Sequence, residues 1–300
     1  MTRSYPFYQV DAFTETKLGG NPCAVFLNAD DLSDATMLAV AKEMNQSESA
    51  FVVKSSVADF GARYWTTAEE IPLAGHPTVA TIYTLIQAGL IVLNSEHKRV
   101  TLELRAGVIP IDIYSAKDGK LERIVMTQVP PRFLSEHDPS VICPIFNLTP
   151  EDLIEGVPIQ TVSTGTPQLM IPLKSEESLR KARISDIDAY VKYKGQSDFF
   201  SPHLFITKGI SDEASVFARH FGVPPDLMED PATGSATGGM SAFLVKYGLV
   251  DKTTFIAEQG HWMGRPSTIH VEVIKDEKRN IKDVKIGGTA VLVLKGELLL

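Results

Sequence analysis

The chain reads as an α+β protein of two similar halves, each an antiparallel, barrel-like sheet wrapped around one central helix. Three observations predict this. The phrase EIPLAGHPT at residues 70–78 returns as EDPATGSAT at residues 229–237. Both copies run on into about a dozen residues of helical length closed by a Gly-Leu pair, as a C-terminal cap would close them. Around them lie short β-rich runs bounded by Gly, Pro, Asn or Asp.

Taken in chain order, the first half offers YQVDAF, CAVFL, AFVVK, RVTLEL and VIPIDIY as strands, with its helix carrying Val79, Ile82, Tyr83, Leu85 and Ile86. The second offers IQTVS, LMIPL, LFITK, TIHVEVI and AVLVLKG, with Met240, Phe243, Leu244 and Val245 on its helix. Few charges fall on either helix, as expected of helices enclosed by other structure. Set in register at an offset of 159 residues, seven of 22 paired positions are identical: Glu70/Glu229, Pro72/Pro231, Gly75/Gly234, Thr78/Thr237, Leu85/Leu244, Gly89/Gly248 and Leu90/Leu249. Weaker echoes keep the same order, GNPCAVFL with GTPQLMIPL and SAFVVKS with HLFITKG. The polar turn SAKDG suggests a crossover between residues 115 and 130, giving halves of 1–120 and 121–300, with a return of the final strand to the first half left open.

Three hundred residues with 44% hydrophobic and 22% charged content can bury a large core. The net charge of −8 and the lack of a Lys/Arg-rich run argue against nucleic-acid or anionic-membrane partners, which need clustered positive charge. A small molecule is the expected partner. No segment approaches the roughly 20 apolar residues of a spanning helix, and no signal peptide is evident, so a cytosolic protein is expected. Cys23 and Cys143 lack CxxC or zinc-type spacing, which predicts reduced, structural thiols.

Should the two central helices begin at one cleft between the halves, their free N–H groups and positive ends would favour a carboxylate there. Gly75 and Gly234 would allow a tight turn and a close ligand approach. The alternative is that both phrases are only helix caps. The copies diverge where side chains are reactive: His76 matches Ser235, and Ile71 matches Asp230. No metal is expected, because His76 has no ligand partner at i+3 or i+4. Ser235 lies in GSATG, not in a GxSxG elbow. Glu48, just ahead of an apolar strand, is an acid/base candidate only if it lies in the cleft; a solvent-exposed or ion-paired side chain is the alternative.

GNPCAVF, NQSESAFV, EIPLAGHPT, STGTPQLMIPL, EDPATGSA, EQGHWMGRPS and GGTAVLVLKGEL, in this order along nearly the whole chain, resemble the PhzF-like isomerases of phenazine biosynthesis, relatives in fold of diaminopimelate epimerase. That resemblance implies a site between two similar halves, a homodimer, a small anionic substrate and chemistry without a cofactor. It places the proton-transferring glutamate at Glu48, further catalytic groups at His76 and Asp230, and substrate contacts at Ser47, Gly75, Gly234 and Ser235. Neither cysteine falls where the epimerases carry their paired thiols, so a two-thiol racemase is not expected. Ser49 stands where the family usually has Thr, and TTAEE precedes the GH motif where a proline is common. The substrate is not named by the resemblance; a metabolite-binding protein without catalysis is the rival reading.

Overall fold

The structure, a computed structural model, describes residues 3–223 and 228–300. The chain forms two compact units: Met1–Thr127 with Trp262–Thr268 and Gly287–Leu300, and Gln128–His261 with Ile269–Ile286. In order the elements are β1 (Ser4–Ala12), β2 (Asn21–Phe26), α1 (Asp34–Met44), β3 (Ser49–Val53), β4 (Phe60–Trp65), β5 (Glu70–Ile71), α2 (Gly75–Gln87), β6 (His97–Leu104), β7 (Gly107–Ser115) and β8 (Leu121–Thr127). They continue with β9 (Arg132–His137), α3 (Pro139–Ile145), β10 (Ile159–Ser163), β11 (Pro167–Pro172), α4 (Glu176–Lys181), α5 (Ile187–Lys194), β12 (Ser201–Ile206), β13 (Ala214–Phe221) and β14 (Glu229–Asp230). Last come α6 (Gly234–Lys246), β15 (Thr254–Gln259), β16 (Ser267–Lys275), β17 (Ile281–Gly288) and β18 (Ala290–Leu299).

The division falls after Thr127, inside the expected crossover window of residues 115–130 but beyond the boundary drawn at residue 120. SAKDG closes a hairpin: β7 pairs antiparallel with β8, and Ala116 N–H donates to Lys120 O at 2.9 Å. Because β8 buries Ile124, Val125 and Met126, it stays with the first unit, and the chain passes to the second after Thr127. β18 pairs antiparallel with β1 along its length, so the final strand is counted with the first unit.

Antiparallel pairing dominates, but each unit also contains parallel pairs that the sequence pattern did not predict. β2 lies parallel to β3 and β4 to β6; in the second unit β11 lies parallel to β12 and β13 to β15. The cause is connectivity. A strand that leaves through a helix and returns beside its origin must run the same way, and α1, α2, α4 with α5, and α6 are those crossovers.

Both central helices are 13 residues long and start and stop at the expected offset, Gly75–Gln87 and Gly234–Lys246. Ten residues of each are buried. Full burial of Val79, Ile82 and Leu85 in α2, and of Met240, Phe243 and Leu244 in α6, contributes about 1.5–3 kcal/mol per side chain. Some polar residues on these buried faces bond backward, whereas Thr81 Oγ1 and Thr84 Oγ1 of α2 are buried without a hydrogen-bond partner among the described residues. Thr78 Oγ1 donates to Ala74 O at 2.7 Å and Thr237 Oγ1 to Thr233 O at 2.9 Å. Gly89 and Gly248 end the helices in the left-handed region at φ 73° and 66°, after which Leu90 N–H reaches Leu85 O and Leu249 N–H reaches Leu244 O, both at 2.9 Å. No helix among the described residues is long and apolar enough to cross a membrane.

Candidate functional site

The repeated glutamates explain why each turn sits where it does. Arg63 on β4 forks onto both oxygens of Glu70 at 2.8 Å, and Arg219 on β13 forks onto Glu229 at the same distances. Planar bidentate pairs of this kind fix geometry as well as energy. The two-residue strands β5 and β14 are thereby pinned against β4 and β13, with Tyr64 opposite Ile71 and His220 opposite Asp230.

Each pinned strand leads into an uncapped helix. α1, α3, α4 and α5 all receive a side-chain N-cap, from Ser33, Asp138, Ser175 and Asp186. α2 and α6 do not: Ala74 has no polar group to offer, and Thr233 makes no side-chain cap bond. Their first-turn N–H groups, with the positive end of the helix behind them, are suited to an anion. Gly75 and Gly234 are each the first helical residue and adopt no positive φ. A glycine is therefore not needed there for backbone conformation, contrary to the expected tight turn; what it provides is the missing side chain beside those amides.

In the first unit, Asn45 ends α1 in the left-handed region, and the short segment after it carries Ser47 and Glu48 up to the start of β3. Glu48 is not a solvent-exposed strand-entrance carboxylate. Its side chain is 20% exposed, and Oε2 stands 3.3 Å from Nε2 of His76, the second residue of α2. The pair is close but out of hydrogen-bond alignment, since His76 Nε2 is buried without a hydrogen-bond partner. Burial pushes the His76 pKa down to about 3, so at neutral pH this is a carboxyl beside a neutral imidazole, not an ion pair. Ser47 Oγ donates to Oδ1 of the fully buried Asn21 at 3.3 Å. The backbone just before Asn21 is fixed by Arg265, which donates to Gly19 O at 2.8 Å, to Gly20 O at 2.9 Å and to buried Asp11 at 2.7 Å.

The second unit equips its turn differently. Thr233 Oγ1 donates to Asp230 Oδ2 in a short hydrogen bond. Gln259, from β15, donates through Nε2 to Asp230 O at 2.6 Å and to Thr233 Oγ1 at 3.0 Å, while its Oε1 accepts Thr233 N–H at 3.2 Å. Ser235 is half-buried at the second position of α6. The first turn is anchored from below, where Gln128 Nε2 donates to Gly234 O at 2.9 Å and Thr164 Oγ1 donates to Gln128 Oε1 and to Ser235 O. Gly238 is required for that anchor, because a Cβ there would stand 1.7 Å from Gln128 Oε1.

Glu48, His76 and Ser47 are thus gathered in one unit, and Asp230, Gly234 and Ser235 in the other. Thr233, Asn21, Gln259 and Arg265 lie within EDPATGSAT, GNPCAVF and EQGHWMGRPS but are not singled out there as site residues, and Gln128 lies outside every such motif. Among the described residues no group of three or more His, Cys, Asp or Glu is arranged to hold a metal ion. Burial raises the thiol of Cys23 well above its ordinary value, with Glu48's charge adding to the effect, and raises Cys143 to about 11. Both stay protonated at neutral pH, which leaves no activated thiolate.

The family model described as phenazine biosynthesis-like protein matches residues 10–296. The chain belongs to this family. An uncharacterised isomerase of Clostridium acetobutylicum is 35% identical over 100% of both chains. The trans-2,3-dihydro-3-hydroxyanthranilate isomerase of Pseudomonas aeruginosa is 28% identical over 96% of each. Among solved structures, a phenazine biosynthesis protein of the PhzF family from Bacillus anthracis superposes with a TM-score of 0.88 at 30% identity, covering 99% of this chain and 100% of that one. A hydroxyproline epimerase from Agrobacterium vitis shares the fold, with a TM-score of 0.68 at 13% identity over 99% of this chain and 93% of that one. With its PhzF-family relatives named as isomerases, the chain is an enzyme of the isomerase class.

Proposed function

We propose that this PhzF-family isomerase moves a proton within a small, unsaturated, carboxylate-bearing substrate by acid/base catalysis, with Glu48 as the proton carrier. The observation that carries the reading is the Glu48–His76 pair at 3.3 Å, set at the start of an uncapped helix. A base must be ionised to take a proton and must be able to give it back, and His76, uncharged because it is buried, adds no positive charge of its own beside the carboxyl. His76, neutral because of its burial, assists as a hydrogen-bonding group and not as a counter-ion.

The step balances by itself. Glu48 takes a proton from a C–H bond, the electron pair is delocalised over the conjugated system, and the protonated carboxyl returns the proton to another carbon of that system. No electron acceptor or co-reactant enters. In the first unit Gly75 leaves room at the amides of α2 for an anionic group and Ser47 supplies a hydroxyl; in the second, Gly234 does the same at α6, Ser235 supplies a hydroxyl and Asp230 offers an acceptor to a donor group.

The test is turnover in D2O of a panel of cyclic unsaturated carboxylates that includes trans-2,3-dihydro-3-hydroxyanthranilate, the compound named for the Pseudomonas relative. The expected result is isomerised product whose new C–H bond carries either the hydrogen taken from the donor carbon or deuterium that exchanged onto the Glu48 carboxyl before return. Isomerisation with no movement of that hydrogen, seen with substrate labelled at the donor carbon, would contradict the reading.

A further inference from the structure

The two units provide an internal control for the polar residues of the second turn. Arg63 and Arg219 make the same fork to Glu70 and Glu229. Two residues earlier, Gly61 lies beside Glu103 on the parallel strand β6, and Phe217 lies beside Glu258 on the parallel strand β15. Leu104 therefore occupies in the first unit the place Gln259 occupies in the second. By the same matching Ile71 corresponds to Asp230 and Ala74 to Thr233. One unit has Ile71, Ala74 and Leu104 where the other has Asp230, Thr233 and Gln259.

The apolar set forms the same pinned strand and starts its helix at the equivalent residue. Polar groups at these positions are thus not needed to build the turn, and placing them there incurs a desolvation cost that only a fully partnered arrangement offsets. The partnering also has only one consistent direction. Thr233 N–H can only donate, so the atom of Gln259 facing it is Oε1; the other is the NH2 group, which faces the carbonyl of Asp230. That NH2 group also donates to Thr233 Oγ1, so the threonine's own hydrogen cannot point back at it and is directed at Asp230 Oδ2.

We propose that Gln259 is a positioning residue that acts through Thr233 to hold the Asp230 carboxylate in one orientation for substrate. It rests on the reading of Asp230 as part of the site, but its test does not depend on Glu48. Thr233→Ala and Gln259→Leu copy the first unit's residues, Thr233→Ser keeps the hydroxyl, and Asp230→Asn assigns the Asp230 carboxyl signal in the 13C NMR spectrum of the labelled protein.

The expected result is that Thr233→Ala and Gln259→Leu remain cooperatively folded and both displace the Asp230 carboxyl signal, while Thr233→Ser leaves it at the wild-type position. An Asp230 signal unmoved in Thr233→Ala and Gln259→Leu would overturn the relay. So would a signal displaced equally by Thr233→Ser and Thr233→Ala. Loss of cooperative folding in both unit-copying variants would instead show that the polar set is structural, which also overturns the proposal.

Discussion

Residues 70–91 and 229–250 can be compared as two builds of one turn. Among the shared side chains, Glu70 and Glu229 accept the arginine forks, Thr78 and Thr237 bond one helical turn back, and Gly89 with Leu90 and Gly248 with Leu249 close the helices. The differing positions have another character. His76 and its partner Glu48 equip the first turn, while Asp230, Thr233, Ser235 and Gln259 equip the second. Gly75 and Gly234 apart, identity between the copies marks what the fold needs, and difference marks where we propose that chemistry is carried. A motif search that weighs only the repeated letters would therefore point mainly at scaffolding.

If that separation holds, altering a differing residue should reduce activity without reducing stability. Asp230→Asn is expected to lower kcat/KM by about 100- to 1,000-fold, with the melting temperature nearly unchanged, as steady-state kinetics and thermal unfolding would show. Shared residues should do the reverse. Arg219→Leu is expected to destabilise by about 3 kcal/mol in urea unfolding, because it leaves Glu229 without its fork and removes donors to Leu179 O and Ala182 O. Arg63→Leu should cost less, since Arg63 is 28% exposed against 14% for Arg219. The opposite ranking would break the comparison.

A smaller effect separates the units by pH. His76 titrates normally when unfolded, near 6.5, and near 3 when buried, so the unfolded chain binds the extra proton between these values. Its contribution to stability is full above pH 6.5 and is lost as pH falls toward 3. Between pH 7 and pH 5 this amounts to about 2 kcal/mol, which His76→Gln should remove from the pH dependence of the urea midpoint. His220, also lowered to about 3 by burial, continues to contribute from the second unit. Smallest, and equal in both units, should be the caps. Gly89→Ala and Gly248→Ala meet no neighbouring atom within 4 Å, so only the left-handed backbone opposes them, at about 1 kcal/mol each by the same assay.

Much of this was legible in the chain itself. The offset of 159 residues places both helix starts and both helix ends correctly, because Gly89 and Gly248 answer a local backbone demand that a local pattern can display, and Gly75 and Gly234 recur at the equivalent first helical residue. The motifs around Glu48, His76, Asp230 and Ser235 likewise stand out by themselves. Gln259 did not, because its role depends on a β15 strand brought next to residues 230–233 by a parallel crossover, and parallel pairing leaves no short-range signal. The polar turn at residues 115–119 misled for a related reason. A hairpin loop and a boundary loop have the same composition, and only the burial of Ile124, Val125 and Met126 beyond it tells them apart.

The central claim is that the Glu48 carboxyl carries the proton, and single-turnover kinetics of Glu48→Gln tests it most directly once a substrate is in hand. Glutamine keeps the size and polarity of the side chain but cannot accept and return a proton. The account predicts that the variant still binds substrate, seen as ligand-dependent thermal stabilisation, while the chemical step slows by at least about 1,000-fold. Substrate binding with an undiminished rate would contradict it.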